Sequence, residues 1–321
     1  MDNHFRTDDE RALAHFKTRK EHPPEVLYHY TSLKSAISII KTCSIRMGSP
    51  KNSNDPFECF DPFWQLKTPG FLNQLREIYR QNLTGPIEWH ATPKEMRQAI
   101  ADERKRLAHI PHARKEAELQ TIIDRLIQDL VEEDGGAAAR YLLFRLRSFS
   151  LSESSLSSVM WSHYGDAHRG VAIGFCTNVL EAKWRRPIER VRYTPTPPIL
   201  INNPESWLDR LSWSGTPAAR PTPDTVAWTC SKHIEWAYEK EWRFAWLAPR
   251  GEAKDHGFFK FPPDAVNVLI TGLRCPDHGV SDLANACSGM SPSPTLIRTR
   301  PSKTTFNILL DHVIPQIKEQ P

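Results

Sequence analysis

The sequence predicts one α+β domain with a helical insertion, and three observations support this class. Short segments rich in β-branched and aromatic residues alternate with stretches of helical periodicity. A long, charged, amphipathic stretch over residues 70–145 separates an early group of these segments from a later group. The chain has 321 residues, of which 39% are hydrophobic, and this is enough for a core in one large domain or two small ones. A polar stretch over residues 1–25 is expected to be a loose arm, which places the domain at 26–321.

The net charge and the cysteine content indicate the cellular compartment and the classes of partner to expect. The net charge of +4 permits an anionic ligand, such as a dinucleotide or a nucleic acid, without requiring one. The six cysteines contain no C-x-x-C pair, and the first residues are charged rather than signal-like. No apolar run approaches the roughly 20 residues of a membrane span. We therefore expect free thiols in a reducing cytoplasm, and neither a zinc site nor a membrane partner.

The first elements follow a strand-then-helix order. Residues 26–30 are rich in β-formers, and Thr31 or Ser32 is suited to cap the helix that follows. Extended structure resumes at residues 45–47, and turn residues break it over 51–58.

The insertion carries strong helix signals. Residues 70–81 look helical, and Thr92-Pro93-Lys94-Glu95 combines a threonine cap, a proline at the first position and a glutamate that completes a capping box. Gly135-Gly136 ends a later amphipathic stretch. The apolar stripe of that stretch consists of Leu119, Ile122, Ile123, Leu126, Ile127, Leu130 and Val131. We expect this stripe to be a packing surface rather than a functional groove.

After residue 145 the pattern becomes strand-like again. Predicted strands lie at 148–152, 170–175, 191–193, 236–244 and 266–270. The second and the last of these are typical of buried core strands. The segment from Phe306 to Ile317 is predicted as a strand or a short helix, and residues 195–225 as a loop.

The first candidate site segment is Tyr28-His29-Tyr30-Thr31, at a predicted strand-to-helix junction. Open sheets place ligands at such strand ends, so His29 is a candidate ligand contact. A histidine that is hydrogen-bonded for structural reasons is the alternative.

The second candidate segment runs from Met160 to Gly170 and holds two histidines, a tyrosine, an aspartate and an arginine just before a buried strand. This density of titratable groups suggests a site. His163 and His168 lack the carboxylate and helix context of a metalloprotease motif, so no metal is expected. A hydrolase with either histidine as general base ranks last, because no nucleophile signature accompanies them.

The third candidate segment runs from Trp236 to Phe244 and is predicted as a strand. Alternation along a strand places Glu239, Glu241 and Arg243 on one face and the aromatic side chains on the other. Adjacent carboxylates repel each other, so the pair needs a cation. In a structural interpretation that cation is Arg243. In a functional interpretation a carboxylate meets a cation that develops during catalysis.

Together these segments resemble the bacterial domain-of-unknown-function family 2971. That family shows the motifs Y-H-Y-T, N-D-P-F-E, M-W-S-H-Y…H-x-G and W-x-Y-E-x-E-W-R in this order. The matching segments lie at 28–31, 54–58, 160–170 and 236–243, so the resemblance covers most of the predicted domain.

The layout also resembles the wider ADP-ribosyltransferase fold, a split β-sandwich, and this implies NAD as a substrate. By this resemblance His29 hydrogen-bonds the adenine-side ribose, and the backbone of Tyr30 holds the nicotinamide amide. Further positions expected to bind NAD are Thr31, Asn54, Asp55, Trp161, His163 and Arg243.

The same resemblance implies the catalytic residues. Tyr164 stacks on nicotinamide, with Tyr193 on the next strand as a substitute. Glu241 contacts the nicotinamide ribose, and Glu239 assists acceptor choice. Breaking the nicotinamide–ribose bond develops an oxocarbenium cation, which a fixed carboxylate stabilises better in a dry cleft than in water.

Two functional hypotheses follow. In the first, the chain transfers ADP-ribose from NAD to a protein or nucleic-acid acceptor, with toxin biology or phage defence as the expected setting. This hypothesis predicts that His29, Tyr164 and Glu241 converge in one cleft. In the second, the chain is a non-catalytic module that binds nucleotide or nucleic acid through basic residues. These basic residues are Arg185, Arg186, Arg190 and Arg192.

Overall fold

A computed structural model describes residues 21–50, 53–58, 69–85, 94–129, 144–196, 229–248 and 254–314. Several predicted features lie outside these residues. They are most of the N-terminal arm, the helix start at Thr92-Pro93, the helix end at Gly135-Gly136 and most of the loop over 195–225.

The described chain is a mixed α/β structure. Its strands are β1 (Val26–Thr31), β2 (Ser44–Gly48), β3 (Leu146–Ser152), β4 (Val171–Cys176), β5 (Glu189–Arg190), β6 (Arg192–Thr194), β7 (Ser231–His233), β8 (Glu241–Leu247), β9 (His256–Lys260), β10 (Val266–Thr271), β11 (Thr295–Pro301) and β12 (Ile308–Ile314). Its α-helices are α1 (Leu33–Thr42), α2 (Pro69–Thr84), α3 (Lys94–Ala108), α4 (His112–Asp129), α5 (Ser158–His163), α6 (Thr177–Trp184) and α7 (Asp277–Cys287). Short 3₁₀ helices cover Ile234–Glu239 and Pro263–Ala265.

Most strands join one large and mostly antiparallel sheet. Its order is β12-β11-β10-β4-β1-β3-β2-β9, with β8 on β3 and β5 on β8. Within it, β10 and β11 are parallel. The short strands β6 and β7 form a separate parallel pair.

The large sheet opens along one edge of β3. The other edge of β3 pairs with β8 over its whole length. On the open edge, β3 meets β1 at the pair Tyr28–Ser152 and β2 at the pair Gly48–Ser148. Ser150 lies between these two pairs, at a point where β3 pairs with neither β1 nor β2. This gap positions the cavity described below.

The strands on the two sides of this gap bury their apolar faces in one core. Leu27 and Phe175 enter it from β1 and β4, and Phe149 and Phe244 enter it from β3 and β8. Helices α1 and α7 pack against each other and contribute to the same core. The opposite face of the β1–β4 half is covered by α5, whose buried Trp161 meets the Tyr30 ring edge-on. Burial of this apolar surface is the main force that holds the two halves together.

Several element predictions are confirmed. The predicted strands at 148–152, 170–175 and 266–270 coincide with β3, β4 and β10. Ser32 caps α1, since its side chain accepts a hydrogen bond from the Ser35 N–H. The C-terminal segment is a strand, β12.

The predicted strand over 236–244 is wrong in its first half. Residues up to Glu239 form a 3₁₀ helix, and Lys240 has a left-handed backbone with φ of 46°. Strand β8 begins only at Glu241. Trp236 and Tyr238 are therefore only partly buried, whereas Trp242 and Phe244 are in the core as predicted.

The strand-like pattern around Met160 is also corrected. Residues 158–163 form helix α5, and the Ser157 side chain caps it by accepting from the Met160 N–H. The helix buries Met160 and Trp161. Short apolar runs do not distinguish a buried strand from a buried helix, which explains the error.

Helices α2, α3 and α4 of the insertion pack on one another. The predicted stripe is buried at Leu119, Ile122, Ile123 and Ile127, as expected for a packing surface. Ion pairs on the outside link α2 to α4 and α3 to α4, at 2.7 Å for Arg80–Glu116 and 2.6 Å for Arg106–Glu118.

No helix in the described ranges is long and apolar enough to cross a bilayer. The cysteines in the described ranges are free thiols, as predicted.

Tight backbone contacts fix the turn between α5 and β4. Asp166, Ala167 and His168 all have positive φ, of 50°, 50° and 68°. A Cβ added at Gly170 would lie 2.1 Å from the carbonyl oxygen of Thr31. Since this contact is with the backbone, β1 itself would have to move.

Gly170→Ala should therefore lower the free energy of unfolding by roughly 1–3 kcal/mol, the usual cost of forcing a methyl group into a packed site. Urea denaturation followed by circular dichroism measures the change. Gly70→Ala in α2 is the matched control, because its Cβ meets nothing within 4 Å and alanine favours a helix. Equal losses in the two variants would contradict this account of the turn.

Candidate active site

A cavity of about 280 Å³ opens in the gap beside β3. Its walls come from β1, β2, β3, β7 and β8, from the turn at 53–58 and from the C-terminal end of α5. The β3 wall is rich in hydroxyl groups, contributed by Ser148, Ser150 and Ser152 at alternate positions. The charged and titratable side chains in the walls include His29, Arg46, Glu58, Tyr164, Lys232, Glu239, Glu241 and Arg243. The structure thus brings His29, Tyr164 and Glu241 into one cleft, as the sequence predicts.

His29 offers a hydrogen-bond acceptor to the cavity. Its ring packs against Phe149 with centroids 4.7 Å apart, and its Nδ1 lies 3.2 Å from the carbonyl oxygen of Ser150. Because a carbonyl only accepts, we assign the ring proton to Nδ1 and the lone pair to Nε2. Burial lowers the pKa of His29 to about 4, and the hydrogen bond to Ser150 only partly opposes this. The ring is therefore neutral at neutral pH, and Nε2 is suited to accept from a ligand hydroxyl.

The two glutamates flank the left-handed residue Lys240. Glu239 Oε1 accepts from the Tyr164 hydroxyl at 2.5 Å, and Glu239 Oε2 accepts from Lys232 Nζ at 2.7 Å. Glu241 Oε1 accepts from Arg243 Nε at 2.9 Å and from Arg243 Nη2 at 2.7 Å. Lys232 Nζ also lies 3.6 Å from Glu241 Oε2, which accepts no hydrogen bond of normal length from the described residues. This oxygen is itself buried, so Glu241 acts on the cavity through its charge.

Glu58 adds a third carboxylate, with its Oε1 2.7 Å from Arg243 Nη1. The cluster therefore sets three carboxylates against the two cations Lys232 and Arg243, and one negative charge is in excess when all are ionised. All five side chains are at most 5% exposed. Because water screens so little inside this cluster, its carboxylates favour positive charge nearby, and Arg46 in the cavity wall supplies part of it.

The two neighbouring glutamates differ in acidity. Burial raises the pKa of Glu239, the charge of Glu241 adds to this effect, and Lys232 opposes it. Burial also disfavours the charged form of Glu241, but Arg243 and Lys232 outweigh it and lower the pKa of Glu241. When the environment lowers the pKa of one carboxyl group and raises that of its neighbour, the first stays ionised and the second is the better proton acceptor. Here Glu241 fits the first role and Glu239 the second.

Tyr164 lies at the C-terminal cap of α5. Its hydroxyl accepts from Asn54 Nδ2 at 2.6 Å and donates to Glu239. Burial, and then the contact with Glu239, raise the pKa of Tyr164, so the hydroxyl keeps its proton. Tyr193 is engaged elsewhere, since its hydroxyl accepts from the Glu241 N–H at 2.8 Å and it is not part of the cavity wall. Of the two tyrosines, the cavity presents Tyr164.

The other predicted NAD-binding positions divide into two groups. Tyr30, Asn54 and Arg243 line the cavity. The positions outside its wall are Thr31, Asp55, Trp161 and His163. Thr31 pairs with Val171 at the end of β1, and Asp55 Oδ1 accepts from the Phe57 N–H within the turn.

Trp161, His163 and His168 of the second segment contact neighbours outside the cavity. Trp161 is fully buried and donates from Nε1 to the Ser155 carbonyl at 3.0 Å. His163 Nδ1 lies 3.1 Å from the Tyr238 hydroxyl. His168 stacks on Trp161, and its Nε2 lies 3.2 Å from Ser162 Oγ. Because neither histidine lines the cavity, the structure gives no support to the hydrolase hypothesis.

Sequence analysis missed Lys232, the role of Glu58 and the serine wall. Glu58 closes the N-D-P-F-E motif, so its presence there was a usable signal. The serines of β3 alternate with Phe149 and Leu151, which is the pattern of a strand with one hydroxyl face. Lys232 lies on the three-residue strand β7, which is too short to give a periodic signal.

His29 should titrate with a midpoint near pH 4, which NMR of the ring resonances measures. The folded-state pKa lies below the ordinary 6.5, so folding disfavours the protonated ring and His29 costs stability as pH falls from 6.5 towards 4. His29→Gln identifies the resonances and should remove this part of the acid destabilisation. A midpoint close to 6.5, or an unchanged acid limb in the variant, would show that the ring is not desolvated.

Part of the chain is similar to a family of known sequences. A family described as "Protein of unknown function (DUF2971)" matches residues 160–244. The matched segment contains Tyr164, Lys232, Glu239 and Glu241, whereas the motifs at 28–31 and 54–58 lie outside it. No curated protein and no solved structure matches the chain. Over residues 160–244 the chain is similar to this family of unknown function.

Proposed function

We propose that the chain transfers ADP-ribose from NAD to a macromolecular acceptor, either a protein or a nucleic acid. One observation carries the proposal: the buried carboxylates of Glu239 and Glu241 share a cavity with His29 and Tyr164. The finer fold prediction, an ADP-ribosyltransferase-like split β-sandwich, belongs to the same proposal. The single-pair contact between β1 and β3 supports it, because it divides the large sheet into two parts with little pairing between them.

The shape and polarity of the cavity support a nicotinamide ribose as the group that enters it. At about 280 Å³ the cavity is near the lower end of ligand pockets, so it suits half of a dinucleotide rather than the whole. His29 Nε2 accepts from a ribose hydroxyl, the Tyr164 ring faces nicotinamide, and the backbone of Tyr30 holds the amide.

The carboxylates supply the chemistry. As the glycosidic bond breaks, nicotinamide leaves with the bonding electron pair, and positive charge develops on the ribose carbon. Glu241 stays ionised beside Arg243 and stabilises that charge. The acceptor then bonds to the ribose carbon, and its proton passes to Glu239, whose raised pKa makes it the better proton acceptor.

The alternative, a non-catalytic binding module, has less support. Its basic residues Arg185, Arg186, Arg190 and Arg192 are absent from the cavity wall. Arg190 is within 3.3 Å of Glu21 and 3.9 Å of Glu153, so its charge is already partly neutralised. If the alternative holds, NAD survives incubation with the protein, and nucleic-acid affinity falls as salt rises.

Glu241→Gln should slow the release of nicotinamide from NAD by about 10²–10³-fold, because it removes the anion beside the developing charge. Chromatography of the released nicotinamide measures the rate, and a melting curve shows that the variant is folded. Glu235→Gln is the matched control, since the Glu235 side chain is 84% exposed on the 3₁₀ helix that precedes β8. If wild-type protein releases no nicotinamide with any acceptor, the proposal is wrong.

Gly48→Val should block the cavity without unfolding the protein. Gly48 lines the cavity, and a Cβ added there meets nothing within 4 Å. We expect KM for NAD to rise about tenfold or more, with a smaller rise for Gly48→Ala. An unchanged KM in both variants would place the NAD site elsewhere.

A further inference from the structure

Lys232 is buried in a position that is costly for a lysine. Its side chain is 4% exposed, and it enters the cavity wall from β7. The partly buried Trp236 ring covers it, with Nζ 4.5 Å from the ring centre. A buried ammonium costs several kcal/mol unless its charge is matched, so its partners show what it is for.

Those partners are the two glutamates, but they depend on Lys232 to different degrees. Glu241 is held by two hydrogen bonds from Arg243, and Lys232 lies 3.6 Å from its other oxygen. Glu239 has its 2.7 Å ion pair with Lys232, and its other oxygen accepts from the uncharged Tyr164. Removing Lys232 would therefore leave Glu241 with a guanidinium and Glu239 with a phenol.

Among the other groups that act on Glu239, the Tyr164 hydroxyl favours its ionisation through a hydrogen bond but carries no charge. Glu241 on β8 repels Glu239, and burial disfavours its charge. Tyr193 on β6 and Tyr238 on the same 3₁₀ helix face it as uncharged phenols. Arg243, the second cation of the cluster, is engaged with Glu241 and Glu58.

We propose that Lys232, covered by Trp236, is a positioning residue that keeps Glu239 ionised and fixed beside Glu241, ready to take the acceptor's proton. The step that it serves rests on the proposed function. The ion pair itself does not, so the two can be tested separately. The proposal also gives a role to the first tryptophan of the W-x-Y-E-x-E-W-R motif, which lies outside the cavity wall.

The activity test uses Lys232→Met, which keeps the length of the side chain and removes its charge. An opposite charge at this distance shifts a carboxyl pKa by about 1–3 units, so the acid limb of the pH–rate profile for ADP-ribose transfer should move to higher pH by about that much. Lys232→Arg should keep the wild-type limb. Lys183→Met, on the exposed face of α6, is the matched control. A variant that is slower by the same factor at every pH would contradict a role in the ionisation of Glu239.

The stability test needs no NAD. Without Lys232, burial and Glu241 raise the folded-state pKa of Glu239 further above its ordinary 4.5, so stability is lost as pH rises from 4.5 towards that value. Compared with wild type, Lys232→Met should therefore melt roughly 10 °C lower at about pH 8, with a much smaller difference at about pH 5. The double variant Lys232→Met/Glu239→Gln should remove this pH dependence.

The two tests have distinguishable failures. If wild-type protein releases no nicotinamide, the proposed function fails, and the melting data alone decide whether Lys232 ionises Glu239. Equal destabilisation at both pH values, including failure to fold at both, overturns the Lys232 proposal. So does a double variant that is no more stable at the higher pH than Lys232→Met.

Discussion

The buried charge cluster is the constraint from which the rest of the site follows. Isolated charges at these depths would cost several kcal/mol each, so each must meet a partner with good geometry. Those pairings lock distant segments together: Glu58 from the turn at 53–58, Lys232 from β7, and Glu241 and Arg243 from β8. The cavity is thus preorganised, and its buried carboxylates are in place before any ligand arrives. A wall fixed in this way needs little rearrangement to stabilise a developing cation.

Much of the fold could be predicted from local pattern. The apolar runs of β4 and β10 and the polar–apolar alternation of β3 are direct consequences of which faces are buried. Short segments with mixed signals could not be resolved. Trp236 and Tyr238 alternate with other residues as in a strand, but Lys240 takes a left-handed backbone that ends a 3₁₀ helix. The gap beside Ser150 could not be predicted either, because it depends on β1 and β3 pairing at Tyr28–Ser152 alone.

The candidate site was predicted in part, because local motifs mark some of its residues but not those that matter only through partners met in space. Residues in motifs with dense titratable groups, such as His29, Tyr164 and Glu241, do converge on the cavity. Glu239 also faces it, though through the turn at Lys240 and not through strand alternation. The density of titratable groups in the sequence wrongly indicated His163 and Trp161 as site residues, because their polar atoms are engaged with neighbours outside the cavity. Lys232 was missed because its importance lies only in its partners, which come together in space and not in sequence.

The central claim is that the cavity binds the nicotinamide ribose of NAD with its anomeric carbon beside Glu241. Saturation-transfer NMR of NAD in the presence of folded Glu241→Gln protein tests this most directly, because the ligand is consumed slowly and each NAD proton reports its own distance from the protein. We predict the strongest transfer to the nicotinamide ring protons and to the anomeric proton of the attached ribose. Transfer confined to the adenine end, or none at all, would contradict the account.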